Sequence, residues 1–408
     1  MRTKRFLTAL GLTALLCAPT ACTTHAENGS GPTTSGPQPV RGDIVSSTPV
    51  EQLTTEETAT YLGKGKFGTP VRNGVDAYRV VYRTIAADGG PTTASGLIVL
   101  PRNDSHRLRV VAYEHGTLAL ASDAPSVNGD TRPDRARTIM FAAAGYAAVA
   151  PDYLGLGVGP GPHPYTHAPT EVSASADLLT AARTLATQQH RDLDPNLLVT
   201  GFSQGGEAAT AVGKALQGNQ IPGFGLAALA PVSGPYDVQH VEFPAGLDGR
   251  VSPADAVFYF AYWLTSMNRI YHLYDNPAEA FQPPYTDAAQ LFDGKHDESA
   301  IGKALPPTPD KLLQPAFVSA ALANPTGPLL QAMNASDGTC DWTPNIPVHL
   351  YAASGDRNVP IANAQHCLQA LHSDQASLTD LGRIDHTTTV HVALPQILTW
   401  FQQQVPAT

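Results

Sequence analysis

Short apolar runs alternate with helix-like stretches along most of the chain. Apolar runs that end at glycine- or proline-rich turns are typical of buried strands. The predicted strands are 77–85, 93–100, 108–114, 146–150, 197–200, 225–230, 347–353 and 376–381. The predicted helices are 135–144, 171–189, 205–217, 361–372 and 388–404. Buried strands that alternate with helices predict an α/β fold, a mostly parallel sheet with helices on both faces.

The beginning of this pattern is different from the rest. Residues 77–85 and 93–100 are separated by the turn sequence D-G-G-P, which predicts an antiparallel hairpin at one edge of the sheet. Residues 45–67, which precede the hairpin, are expected to form a weakly helical lead-in.

One long interval, 235–342, contains no convincing strand pattern. It includes an aromatic-rich helical stretch at 257–274, followed by short helices punctuated by prolines. About a hundred residues exceed what a strand-to-strand connection needs. We therefore predict a helical cap over the carboxyl edge of the sheet, where open α/β folds bind ligands. The cap would divide the core into 45–234 and 343–408.

The first 21 residues have the pattern of an export signal. A basic start precedes an apolar run, 6–18, that is too short to span a bilayer. Small residues before Cys22 resemble a bacterial lipobox, in which the cysteine carries a lipid anchor. The alternative is ordinary signal cleavage and release. Residues 22–44 are rich in Gly, Ser, Thr and Pro, which predicts a disordered tether. We expect an exported protein, either a membrane-anchored lipoprotein or a secreted one.

Composition narrows the functional classes. The chain has 408 residues, 42% of them hydrophobic, and a net charge of −10. No cluster of Lys and Arg occurs beyond the N-terminal residues, which argues against a nucleic-acid partner. No H-E-x-x-H, C-x-x-C or phosphate-binding glycine motif is present in a fitting context. We therefore predict a monomer with no metal and no cofactor.

A candidate nucleophile lies in the sequence G-F-S-Q-G at 201–205. An apolar strand precedes it and a helix follows, which is the context of a nucleophile elbow. The elbow places the serine hydroxyl above the sheet and next to the N-terminus of the helix, which favours developing negative charge. We assign Ser203 as the nucleophile. The alternative is a surface serine in a glycine-rich turn.

A serine hydroxyl needs a base, and in this type of fold the acid and then the histidine follow the serine along the chain. His386 is expected in a loop just before the terminal helix, with His391 as the alternative. Asp356 follows the strand 347–353 in a tight turn, where it can orient a histidine ring. The competing carboxylates are Asp337, Asp341 and Asp385.

An oxyanion hole needs two backbone N–H groups. The residue after the nucleophile, Gln204, supplies one of them. The loop after the strand 108–114 supplies the other, which we assign to Thr117, with Gly116 as the alternative.

The cysteines predict one disulfide bond. Cys17 lies in the predicted signal and Cys22 at its end, so Cys340 and Cys367 remain in the folded part. An exported domain matures in an oxidising compartment. We predict a Cys340–Cys367 bond, and two buried free thiols are the alternative.

Several motifs resemble those of one known family. They are Y-E-H-G-T (113–117), P-D-Y-L-G-L-G (151–157), H-P-Y (163–165), G-F-S-Q-G-G (201–206) and D-H-T-T-T (385–389). Together they resemble the secretory lipase family, the lipase A-like branch of the α/β-hydrolase superfamily. The resemblance implies carboxylic-ester hydrolysis, a helical lid, and a triad of Ser203, Asp356 and His386.

The predicted function is a serine carboxylic-ester hydrolase that forms an acyl-enzyme with a small-molecule or lipid ester. Two alternatives stay open. The first is a peptidase of the same fold, similar to prolyl aminopeptidases, that recognises an amine with cap carboxylates. The second is a non-enzymatic surface lipoprotein that binds a ligand. The cap carboxylates in question are Asp248, Asp255, Glu279 and Asp287.

Overall fold

The computed structural model describes residues 40–65, 68–128 and 133–407. The predicted export signal, the anchor residue Cys22 and most of the tether lie outside the described residues. Within them, no helix is long and apolar enough to cross a membrane. The strands of the described residues are β1 (Ile44–Leu53), β2 (Gly74–Ile85), β3 (Pro91–Arg102), β4 (Arg107–Glu114), β5 (Ala147–Pro151), β6 (Asp192–Phe202), β7 (Gly225–Val232), β8 (Val348–Ala352) and β9 (Ala376–Asp380).

All these strands form one sheet in the order β1-β2-β3-β5-β4-β6-β7-β8-β9. The first three strands are antiparallel to their neighbours, and β3 also pairs with β5 in the antiparallel direction. From β5 to β9 every neighbouring pair is parallel. The predicted α/β fold and the antiparallel hairpin, β2 and β3, are confirmed. The hairpin does not form the edge of the sheet, however, because β1 pairs with β2 on its outer side.

Helices cover both faces of the sheet. They are α1 (Thr55–Lys64), α2 (Asp134–Ala143), α3 (Ala168–Gln188), α4 (Gln204–Gln217), α5 (Phe243–Asp248), α6 (Pro253–Tyr271), α7 (Glu298–Ala304), α8 (Pro309–Leu312), α9 (Pro315–Ala323), α10 (Gly327–Ser336), α11 (Ala362–Ala370) and α12 (His386–Gln404). Helices α3, α4 and α11 bury their apolar sides against one face of the sheet. Helices α1, α2 and α12 do so against the other face.

The prediction of a weakly helical lead-in at 45–67 is wrong for its first part. Residues 45–53 belong to strand β1 rather than to a helix, and helix α1 begins only at Thr55. Most side chains of β1 are exposed, because it is an edge strand that pairs with β2 alone. Its sequence therefore lacks the apolar alternation of a half-buried strand. The end of the predicted tether is also folded, since the N–H of Gly42 donates to the carbonyl of Arg83.

The interval between β7 and β8, for which the sequence predicts a cap, is helical. Helices α5 to α10 lie in it, and their apolar side chains form a hydrophobic cluster of their own. The structure contains the predicted disulfide, with the Cα atoms of Cys340 and Cys367 5.2 Å apart. This bond links the exit of the cap to helix α11.

Candidate active site

The elbow between β6 and α4 holds Ser203 in a strained backbone conformation, with φ of +59° and ψ of −124°. Two glycines make the sharp turn possible. A Cβ atom at Gly201 would lie 2.0 Å from the carbonyl oxygen of Gly205, and one at Gly205 would lie 2.0 Å from that of Glu114. No larger residue fits either position. Strain of this kind persists only where the surrounding structure enforces it, and it concentrates at functional sites.

Hydrogen bonds join Ser203, His386 and Asp356 in one chain. The Ser203 Oγ lies 2.8 Å from His386 Nε2, and His386 Nδ1 lies 2.6 Å from Asp356 Oδ2. The other carboxylate oxygen of Asp356 accepts the backbone N–H groups of Asn358 and Val359, at 2.9 and 3.0 Å. The three residues are only 5%, 8% and 6% exposed. Asp356 is therefore held from two sides, and it fixes which nitrogen of the ring carries the proton.

The competing residues occupy other positions. Asp385 is the N-cap of helix α12, where its side chain accepts the N–H of Thr388 at 2.8 Å. Asp337 accepts backbone N–H groups at the start of the cap. Asp341 is exposed, and His391 lies one turn into α12. His386 itself is the first residue of α12, not a loop residue, because the Asp385 cap starts the helix earlier than its apolar pattern indicates.

The predicted oxyanion residues border the same space as Ser203. Gly116 and Thr117 line a cavity that contains Ser203 and His386. The hydroxyl of Thr117 lies 3.0 Å from that of Tyr165. Gln204 is the first residue of α4, so no carbonyl within the helix accepts its N–H.

The side chain of Gln204 is held by two buried partners. Its Nε2 donates to Glu171 Oε1 at 2.7 Å and to His163 Nε2 at 2.9 Å. The other ring nitrogen of His163 donates to the carbonyl of Leu154 at 2.9 Å, which fixes the tautomer that can accept from Gln204. Burial lowers the pKa of His163 to about 3, so the ring stays neutral. These contacts fix Gln204, and with it the candidate oxyanion N–H.

We call these contacts of Gln204 with Glu171 and His163 the clamp. Glu171 is one of three buried glutamates in this region, with Glu114 and Glu207. Burial raises the pKa of Glu114 to about 8 and that of Glu171 to about 7. Burial and the charge of Glu171 raise the pKa of Glu207 well above its ordinary value. Carboxyl groups so enclosed are stable as neutral acids. No role for these glutamates is predicted from the sequence, although an acidic residue at the end of the apolar run in β4 is a signal of a buried polar site.

Within the described residues, no group of three or more His, Cys, Asp or Glu side chains could hold a metal ion. The two closely spaced histidines have other partners. His163 belongs to the clamp on Gln204, and His167 contacts the hydroxyls of Thr170 and Tyr271 at 3.1 and 2.9 Å.

Solved structures show how this arrangement compares with known proteins. A hydrolase from Legionella pneumophila is 28% identical with a TM-score of 0.81, and the match covers 88% of this chain and 97% of that one. The rice cell wall degrading esterase LipA from Xanthomonas oryzae is 27% identical with a TM-score of 0.78, over 90% of this chain and 98% of that one. The chain has the α/β-hydrolase fold. Candida antarctica lipase A shares the fold at 14% identity and a TM-score of 0.62, over 86% and 79% of the two chains.

No protein-family model and no curated protein sequence matches this α/β hydrolase. The likeness in three dimensions to a hydrolase and an esterase supports an ester hydrolase.

Proposed function

We propose that this α/β hydrolase is a serine carboxylic-ester hydrolase of the secretory lipase family, with Ser203, His386 and Asp356 as its catalytic triad. The observation that carries the proposal is the hydrogen-bonded chain from the Ser203 hydroxyl to the Asp356 carboxylate. Its two distances lie within the range that proton transfer from a nucleophile to a base requires.

The reaction begins with attack of Ser203 Oγ on the ester carbonyl. His386 Nε2 takes the hydroxyl proton, and the carbonyl oxygen becomes an oxyanion that the N–H groups of Gln204 and Thr117 stabilise. His386 then gives its proton to the alcohol oxygen, which leaves and yields an acyl-enzyme. A water molecule repeats the sequence and releases the acid. Asp356, hydrogen-bonded to Nδ1, orients the ring and stabilises the imidazolium that forms.

The division of the chain follows from the same proposal. We assign 45–234 and 343–408 to the catalytic core and 235–342 to the cap that closes over it. The disulfide is consistent with an extracellular protein, because such bonds persist in oxidising compartments. Export through the signal at 1–21, with a lipid anchor on Cys22, completes the proposal. No partner beyond the ester substrate and this anchor is needed, and a monomer suffices.

The contacts of the cap carboxylates bear on the peptidase alternative. Asp248 forms an exposed ion pair with Arg250, and Glu279 accepts the N–H of Asn276 as part of a capping box. Asp255 and Glu298 both line the cavity that contains Ser203. A peptidase that recognises an amine would use carboxylates of this kind, so the peptidase alternative is decided by assay.

Paired assays test the proposal. The wild type should hydrolyse nitrophenyl butyrate and leave alanine and proline nitroanilides uncleaved. Ser203→Ala should lose ester hydrolysis by several orders of magnitude. Ser319→Ala, a matched change at an exposed cap serine, should retain it. Cleavage of the nitroanilides in preference to the ester would favour the peptidase, and hydrolysis by neither route would favour a binding protein.

A further inference from the structure

Two cavities of different character meet at Ser203. The first, the small cavity, has a volume of about 60 Å³ and walls that are mostly apolar and include Phe243, Val251, Phe260 and Trp263. The second, the large cavity, has a volume of about 490 Å³ and is bordered by Thr117, Asp255, Phe258, Glu298, His386 and Thr387. An ester bound at Ser203 has two ends, so each cavity can receive one of them.

The position of the base decides which end goes where. In the reaction His386 Nε2 must reach the alcohol oxygen to protonate it, so the leaving group lies on the side of His386. His386 borders the large cavity and is absent from the walls of the small one. The acyl group, which remains attached to Ser203 Oγ, must extend the other way, into the small cavity.

The volume of the small cavity limits the acyl group. One water-sized group needs at least roughly 10–15 Å³ of such space and takes up about 30 Å³ at liquid density, so about 60 Å³ holds at most about six non-hydrogen atoms. Its single carboxyl group, that of Glu242, has a pKa raised to about 8 by burial and by the nearby charge of Asp356. Glu242 is therefore protonated and neutral at pH 7, and its Oε1 is occupied by the Asn363 side chain at 2.7 Å.

The wall of this cavity is set by a glycine–phenylalanine contact. A Cβ atom at Gly246 would lie 2.5 Å from the ring atom Cζ of Phe260, so only glycine allows the ring to sit there. The Phe260 ring also packs against Phe243, with ring centres 4.9 Å apart. Phe260 is thus wedged between α5 and its own helix α6, and its ring takes up space that a longer acyl chain would need.

We propose that the substrate is an ester with a short acyl group of up to about six carbons, held in the small cavity with Phe260 as the residue that limits its length, while the large cavity receives the alcohol. This inference rests on the proposed function, since it assumes that Ser203 forms an acyl-enzyme.

A chain-length series tests the inference. We expect kcat/KM of the wild type on nitrophenyl esters from C2 to C12 to be highest at C4 to C6 and to fall at least tenfold by C10. Phe260→Ala should move the optimum to longer chains by two to four carbons. Phe260→Leu, a smaller change that keeps the core filled, should move it less but in the same direction. Phe281→Ala is the matched control, because Phe281 is a fully buried cap phenylalanine outside both sets of walls. It should lower stability and leave the optimum in place.

A second series separates the two cavities. With the acyl group fixed as butyryl and the alcohol varied from ethanol to hexanol and glycerol, Phe258→Ala should alter the relative rates and Phe260→Ala should not. A wild-type acyl profile that is flat or rises to C12, or an optimum that follows Phe258→Ala instead, would overturn the inference while leaving an active ester hydrolase. Failure of every ester to react would instead refute the proposed function itself.

Discussion

Replacing Asp356 by asparagine tests the role of the triad acid without changing the shape of the site. In the wild type the Oδ1 atom accepts two backbone N–H groups, from Asn358 and Val359, and Oδ2 accepts His386 Nδ1. In Asp356→Asn the amide oxygen should keep the position of Oδ1. The opposite rotamer would point the amide N–H₂ at two backbone N–H groups, at a cost of about 1–3 kcal/mol for each donor left without an acceptor.

The amide nitrogen must therefore face His386 Nδ1. Two donors cannot face each other, so the ring proton moves to Nε2, the nitrogen that should accept the Ser203 proton. A wrong tautomer in a serine triad lowers kcat by about 10⁴-fold, which corresponds to about 5.4 kcal/mol of lost transition-state stabilisation. We expect this loss in kcat on nitrophenyl butyrate, with a nearly unchanged KM.

Asp385→Asn is the matched control, because it makes the same chemical change one residue from His386. Asparagine is as good an N-cap as aspartate, so this variant should keep its activity and its melting temperature. The tautomer argument is wrong if Asp356→Asn is folded and keeps more than about a tenth of the wild-type kcat.

Four further outcomes can be measured. Reduction of the Cys340–Cys367 bond should lower the free energy of unfolding by about 3.6 kcal/mol, the value that the chain-entropy relation gives for a separation of 27 residues. A urea denaturation curve that is the same with and without reductant would contradict this. Because the pKa of Glu114 is raised to about 8 in the folded state, stability should fall as the pH rises from about 6.5 to 8, and Glu114→Gln should lessen that slope in melting experiments. Gln204→Ala should lower kcat by about 10- to 100-fold with little change in KM, because residue 204 loses the side-chain contacts with His163 and Glu171 that hold its backbone N–H in place. An equal rise in KM would indicate a role in substrate binding instead. Cys22→Ser should move the protein from the membrane fraction to the medium, and unchanged membrane association would refute the anchor.

The pH prediction depends on the sign of each shift. A carboxyl group with a raised pKa is protonated in the folded protein and ionised in the unfolded chain, so its contribution to stability is lost as the pH rises toward the folded value. Glu171 and Glu242 act in the same direction, with pKa values of about 7 and 8. His163 and His167 have lowered pKa values and oppose this effect only below about pH 6.5. The window above pH 6.5 therefore isolates the carboxyl groups.

Local patterns allowed most of the sheet to be predicted from sequence. Strands such as β4 and β6 contain a continuous apolar run, because helices cover both sides of the sheet there, and this run is a strong signal in the sequence. Strand β1 gives no such signal in the sequence. Most of its side chains are exposed, and the strand is held by backbone pairing with β2. Edge strands are defined by a partner far away in the chain, which a local pattern does not contain.

In the candidate site, too, some residues could be predicted from the local sequence and others could not. The sharp turn at Ser203 has no room for a Cβ atom at Gly201 or Gly205, so the glycine motif identifies the elbow. The order of the residues along the chain pointed to Asp356 and His386. The clamp on Gln204 unites Glu171 and His163 from separate segments through hydrogen bonds. No spacing in the sequence indicates such a contact, and only the fold brings these residues together.

The most direct test of the account is covalent labelling of Ser203. A fluorophosphonate should modify the wild type at one site, and peptide mass spectrometry should place the adduct on Ser203, with ester hydrolysis lost in proportion to labelling. Ser203→Ala should be neither labelled nor active. An adduct on another residue, or ester hydrolysis that persists in folded Ser203→Ala, would contradict the assignment.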